Sequence, residues 1–300
     1  MRQVIDGAFI SMLESRDLHI KNAMNGLFGG NRRSNAYGSS TEFADFREYV
    51  PGDDLRRIDW NIYGRFEKLF LKLFVDERQL HHRIYLDCSA SMDWGEPKKS
   101  DIALKLAAAL GYLSVQSMDR LSFYAIHDDT CEDLCRTIVG REAFYDAAGT
   151  LNRLDFYGEG DIGTAINSSE KPGRGDGISI IISDFLTDSD WKSAVDYLLY
   201  NKRDVHLIQV LSRDEMIPGI SGKVLMLDSE SQTHDEEDVR NYRTEITRAS
   251  VKAYKKAFEF HQNELRDFCA ARGVGFLTVR SDESVERMLF EKATEVEIIS

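Results

Sequence analysis

From residue 83 onward, short and nearly continuous apolar runs alternate with segments whose apolar residues recur at helical spacing, and this alternation restricts the fold more than any other feature. The runs 83–87, 121–126 (LSFYAI), 178–183 (ISIIIS), 205–211 (VHLIQVL) and 274–279 (VGFLTV) read as strands, with a further short strand around 133–138. Helices are predicted near 99–117, 141–152, after Asp161, near 190–200 and near 283–292; the first carries Ile102, Leu106, Ala109, Leu110 and Leu113 on one face. Strands without polar alternation are buried on both sides, so the pattern predicts an α/β fold with a doubly wound, mainly parallel sheet.

Residues 81–300 form this predicted domain, interrupted at about 215–272 by an insertion: a β-hairpin over 223–235, then a long helix from about Asp238 to Arg272 with Tyr242, Ile246, Ala249, Ala253 and Ala257 on its apolar stripe and Gly273 as its stop. Residues 1–80 are read as an amphipathic opening helix and a turn-rich segment around Pro51-Gly52-Asp53-Asp54, both packing on the main body, with a strand over 69–75.

Residues 1–80 carry 12 Lys/Arg and 12 Asp/Glu, so the net charge of −13 belongs to the remainder, which argues against nucleic-acid binding. No stretch approaches the roughly 18 consecutive apolar residues of a membrane span, and Asp6, Glu14 and Asp17 interrupt the start where a secretory signal needs an uncharged core. A cytoplasmic location with reduced thiols is the expectation. His127, Cys131 and Cys135 offer three zinc ligand types, but the Cys-x-x-Cys knuckle and a fourth ligand are missing.

The chemistry concentrates at strand ends. Asp87-Cys88-Ser89-Ala90-Ser91 follows one apolar run and Asp184 another. In a doubly wound sheet the ligand crevice lies at the carboxyl ends of the strands, where the strand order reverses. If the two strands flank that point, Asp87 and Asp184 come within reach of one cation, and their oxygen-only surroundings suit Mg²⁺ or Mn²⁺.

These residues resemble the metal-ion-dependent adhesion site of von Willebrand factor A domains. More narrowly, the segment 42–60 (EFADFREYVPGDDLRRIDW) is similar to the signature of a bacterial family catalogued as domain of unknown function 58. The resemblance implies metal ligands at Asp87, Ser89 and Ser91, with Asp184 acting largely through water. It also implies a non-enzymatic adaptor or chaperone-like module. Its expected partners are a MoxR-type AAA+ ATPase and a client protein that presents an acidic residue to the ion. Where the superfamily has Gly-Gly-Thr-Asn or Gly-Gly-Thr-Asp, this chain has Gly158-Glu159-Gly160-Asp161, which puts Gly160 in the Thr position; Asp161 compensates if its carboxylate turns inward. Asp53, Asp54, Arg56 and Arg57 form a candidate partner surface, the equal alternative being a local ion-pair network with Trp60 and Tyr49 as packing anchors.

Two enzyme readings compete. Gly158-x-Gly160-x-x-Gly163 matches a dinucleotide fingerprint with Asp184 about 20 residues on, as in a nucleotide-binding oxidoreductase, although residues 152–157 make a poor strand. Asp87 with Mg²⁺ could serve a metal-dependent phosphohydrolase as nucleophile, although Ser89 stands where such enzymes often carry a second Asp. Arg174-Gly175-Asp176 reads as a turn.

Overall fold

The computed structural model describes residues 3–15, 43–74, 79–168, 177–219, 222–226 and 242–288. It divides into two units, Gly30–Gln79 and Met1–Gly29 with Leu80–Ser300. The opening helix therefore belongs with the α/β unit.

In the smaller unit, β1 (Phe43–Glu48) pairs antiparallel with β2 (Phe70–Phe74), and the helix Trp60–Phe66 lies between them in sequence. Asp59 starts that helix by accepting hydrogen bonds from the Asn61 and Ile62 amides while its other oxygen pairs with Lys72 at 3.0 Å. Trp60 is not a packing anchor within this unit: it is 63% exposed, edge-on to Tyr63, because Asp59, Ile58 and Leu71 take the buried positions.

In the larger unit, β3 (His81–Asp87), β4 (Arg120–His127), β5 (Thr130–Asp133), β6 (Ile178–Ser183) and β7 (Asp204–Leu211) join a later strand in one sheet. A separate antiparallel pair, β8 (Gly222–Met226) and β9 (Tyr242–Ile246), precedes that last strand, β10 (Gly275–Arg280). The sheet order is β10-β7-β6-β3-β4-β5, and every neighbour pair is parallel except β4 with β5. From β3 the chain crosses through the helix Lys99–Gln116 to β4 on one side; from β6 it crosses through Trp191–Tyr200 to β7 on the other. The order therefore reverses between β3 and β6, which makes their carboxyl ends the crevice of a doubly wound fold.

Both faces of the sheet are covered. Phe9 and Leu13 of the opening helix, the helix Lys99–Gln116 and Phe144 form one core; Ile162, Trp191, Leu198, Leu265 and Cys269 form the other. The Asn152 side chain fastens the opening segment by accepting from the Val4 and Ile5 amides at 3.0 and 2.9 Å. Gly111 lets its helix close on β4, since a Cβ there would stand 2.6 Å from the Phe123 ring.

The insertion differs from its sequence reading. Tyr242 and Ile246 lie on β9, and the helix begins only at Arg248, where Thr247 and Ser250 cap its first turn. Ala249, Ala253 and Ala257 are exposed. Alanine methyls bury little apolar area, and the docking face is instead Gln262, Leu265 and Cys269 near the helix end, before the left-handed Gly273. Residues 227–235 of the predicted hairpin, 238–241 of the predicted long helix and 289–292 of the predicted last helix lie outside the described residues. The short strand expected over 133–138 is β5 at Thr130–Asp133, with Ile138 contributing only a bridge to Leu121.

Candidate functional site

β3 and β6 run in register with Leu86 opposite Ile182, so Asp87 and Ser183 end the two central strands together. The buried Asp87 carboxylate accepts from Ser183 Oγ at 2.6 Å with one oxygen and from the Ser89 amide at 3.0 Å with the other. Beyond Ser89 the backbone enters the 3-10 turn Ala90–Asp93, which brings Ser91 Oγ to 3.1 Å from Ser89 Oγ. Ser91 Oγ also donates to Asp184 Oδ2 at 3.0 Å, while Asp184 Oδ1 accepts from the Leu186 amide at 3.0 Å. The structure thus brings Asp87, Ser89, Ser91 and Asp184 into one continuous cluster. Phe185, left-handed at φ 52° and fully buried against Trp191, turns the chain directly after Asp184. Such backbone strain persists only where surrounding packing enforces it. From below, Gln209 Nε2 donates to the Asp184 carbonyl at 2.9 Å, and Gln209 Oε1 accepts from Gln262 Nε2 at 2.8 Å and Thr278 Oγ1 at 3.2 Å.

Burial, followed by the neighbouring Asp184 charge, raises the Asp87 pKa, against the lowering effect of its bonds from Ser183 and Ser89. A carboxylate in that condition has an enhanced affinity for positive charge. Part of that charge is already present. Lys99, 1% exposed in the first turn of its helix, places Nζ 2.6 Å from Asp184 Oδ2 and 2.5 Å from Glu215 Oε1. Burial pulls the ammonium pKa down, but the two carboxylates more than reverse this and hold it above its ordinary value. Sequence reading missed both partners. Lys99 sits three and seven residues before Ile102 and Leu106, on the apolar stripe, where an unpaired lysine does not belong. Glu215 completes a Ser-x-x-Glu capping box with Ser212 at the end of β7, its second oxygen accepting from the Ser212 amide at 2.6 Å.

The middle loop closes over the cluster through Ala90 N donating to the Gly158 carbonyl and Tyr157 N to the Cys88 carbonyl. A Cβ at Gly160 would stand 2.8 Å from Asp87 Oδ1 and 3.2 Å from Ser89 Cβ, so only a bare backbone fits against Asp87 here. Asp161 does not turn inward: it accepts from Thr164 N at 3.0 Å and Thr164 Oγ1 at 2.7 Å, capping the helix Ile162–Ser168. Gly160→Thr should therefore destabilise by about 1–3 kcal/mol in urea unfolding, as overpacking does, rather than complete a ligand set. The other glycines of the fingerprint also have packing reasons. A Cβ at Gly158 (φ 73°) would lie 2.4 Å from Asp128 Oδ1, and one at Gly163 2.4 Å from the Asp190 carbonyl oxygen. No strand occupies 152–159, so the strand-turn-helix context of a dinucleotide site is missing. Beside the cluster opens a cavity of about 620 Å³, lined by Glu159, Gly160, Asp161, Leu186, Asp188 and His261 among others.

The family model described as "Protein of unknown function DUF58" matches residues 45–257. The chain belongs to the DUF58 family. Similar curated relatives are uncharacterized proteins of Mycobacterium tuberculosis and Mycobacterium bovis, each 27% identical over 283 residues that cover 92% of this chain and 86% of theirs. Among solved structures, the chain is similar to the VWA domain of SpRpn10, with TM-score 0.38 and 10% identity over 74% of this chain and 96% of that one. It is also similar to the pilus adhesin SpaC from Lactobacillus rhamnosus GG, with TM-score 0.40 and 8% identity over 74% of this chain and 30% of that one.

The DUF58 match includes the candidate partner surface. Asp53 accepts from the Val50 amide at 2.9 Å and then from Arg47 Nη2 at 2.7 Å, and these bonds, the amide's first, hold its pKa below the ordinary value. Asp54 caps the 3-10 turn Leu55–Arg57 through the Arg56 amide; the Arg56 side chain is exposed, and that of Arg57 lies outside the described part. For Asp53 and Asp54 the geometry is that of local bracing. Cys131 lies on β5 and Cys135 beyond it, both half-buried and outside any disulfide, and no group of His, Cys, Asp or Glu side chains among the described residues forms a metal cluster of three or more. The Asp87 cluster, with two carboxylates and two hydroxyls, is a donor set of another kind. Among the described residues no helix is long and apolar enough to cross a membrane.

Proposed function

We propose that this DUF58 chain is a non-enzymatic, cytoplasmic protein-binding module whose recognition runs through a divalent cation, Mg²⁺ or Mn²⁺, held by Asp87, Ser89, Ser91 and Asp184. The observation that carries the reading is the meeting of two buried carboxylates from separate loops, linked by Ser89 and Ser91, at the switch point of the sheet. The donor set fits a hard cation: it is oxygen-only, and its two buried carboxylates are joined through the Ser89 and Ser91 hydroxyls. An ion bound to few carboxylates keeps much of its charge, and an open position on it can accept an acidic residue from a partner. Asp161, spent on its helix cap, is left out of the ligand set.

Binding is favoured over phosphohydrolysis because Asp87 is 3% exposed with both oxygens accepting hydrogen bonds, a poor state for a nucleophile. A MoxR-type AAA+ ATPase as working partner follows from the family resemblance of segment 42–60, with the client supplying the acidic ligand.

Mn²⁺ titration followed by electron paramagnetic resonance tests the ion site. Asp87→Ala should lose binding by about a hundredfold or more, since it removes a buried charged ligand. Indistinguishable titrations of the two proteins would remove the reading. Co-purification of the ATPase with and without Mg²⁺ tests the partner.

A further inference from the structure

We infer that Lys99 is a built-in counter-cation which a divalent ion must displace from Asp184 onto Glu215, so that Lys99 sets how tightly the site holds its ion. This rests on the ion-binding reading above. The geometry assigns both claims on Asp184 to a single oxygen: Oδ2 receives the Lys99 ammonium at 2.6 Å and the Ser91 hydroxyl at 3.0 Å, while Oδ1 serves the Leu186 amide. Ser91 belongs to the first ligand loop, so the oxygen facing the other ligands is the one that Lys99 occupies. A divalent ion drawing on Asp184 competes directly with the ammonium, and in these dry surroundings the two cations repel strongly.

Lys99 has no route to water, being 1% exposed on a helix buried along most of its length. It does have a second acceptor. Glu215 Oε1 lies 2.5 Å from Nζ, and Glu215 is itself held by the capping box and by Tyr254 Oη donating to its carbonyl at 2.6 Å. The ammonium can thus give up Asp184 and remain paired. Lys99 therefore stays paired and inside whether or not the ion is bound, and what changes is whether it serves Asp184 as well as Glu215. The connection through Glu215 ties ion occupancy to the turn Arg213–Met216 and to the long helix that carries Tyr254.

The test is Mn²⁺ titration of wild type, Asp87→Ala, Glu215→Gln and the double variant Lys99→Met/Glu215→Gln, with folding checked by circular dichroism. The double variant keeps the net charge of the site, so a change in affinity reports lost competition rather than added negative charge. It should bind Mn²⁺ at least about tenfold tighter than wild type. Affinity equal to or below wild type overturns the inference, while the ion site stands if Asp87→Ala still abolishes binding. Mn²⁺ bound by the double variant but not by wild type supports the inference and removes a resident ion from the wild-type protein. No binding by any of the four proteins ends both ideas. Should the double variant not fold, Lys99→Gln/Glu215→Gln, which also keeps the net charge, takes its place: it too should bind Mn²⁺ at least about tenfold tighter than wild type, and affinity equal to or below wild type overturns the inference.

Discussion

Lys99→Met should lose about 3–5 kcal/mol of unfolding free energy, which is a large part of the roughly 5–15 kcal/mol that holds a typical domain together. The size follows from what is left behind rather than from the pair itself. Asp184 is 2% exposed, so its charge finds no water when the ammonium goes, while Glu215, its side chain 17% exposed and one oxygen fixed in a capping box, keeps only partial access. Removing one member of a buried pair leaves an uncompensated charge, and this costs far more than the pair contributes when intact. Guanidinium unfolding in metal-free buffer checks the prediction. A loss under about 1 kcal/mol would mean that Asp184 escapes burial when Lys99 is absent.

Arg203→Met should cost a similar amount, about 3–5 kcal/mol, at the opposite end of the sheet and without altering Mn²⁺ binding. Arg203 is 3% exposed, and its guanidinium donates to Ser179 Oγ at 2.9 Å, the Ile178 carbonyl at 2.6 Å and the His81 carbonyl. Those acceptors lie at the amino ends of β3 and β6, so the guanidinium joins the two central strands where their pairing begins, at Arg83 opposite Ser179. Gly177 makes room for it: a Cβ there would press within 2.7 Å of Nη1 and 2.3 Å of the His81 carbonyl oxygen. Methionine replaces the aliphatic stem but leaves buried acceptors unsatisfied. Unfolding curves together with the Mn²⁺ titration separate this variant from Lys99→Met. A weakened titration would show that the two ends of the strands are not independent.

Legibility from sequence followed the strength of local signals. Asp87 and Asp184 could be placed because each follows an unbroken apolar run, and strand termini in a doubly wound sheet converge by topology. The sheet itself was legible for the same reason: ISIIIS and VHLIQVL leave no exposed face. The insertion was harder, since Tyr242 and Ile246 fit a helical stripe with the downstream alanines as well as they fit β9, and only the Thr247 cap breaks the tie. Lys99 and Glu215 are 116 positions apart and meet through tertiary packing alone. A lysine on an apolar stripe announces that a buried acid exists, but not which one. Asp161 was ambiguous in the same way, because an Asp before a helix is equally a ligand and a cap, and Thr164 decided for the cap.

The glutamine beneath Asp184 has a consequence for heredity. Gln209 must present its amide nitrogen to the Asp184 carbonyl, which fixes its oxygen toward Gln262 and Thr278; neither amide can rotate without orphaning the other. Positions 209 and 262 form a lock with two keys, so descendants of this chain should exchange them together or not at all.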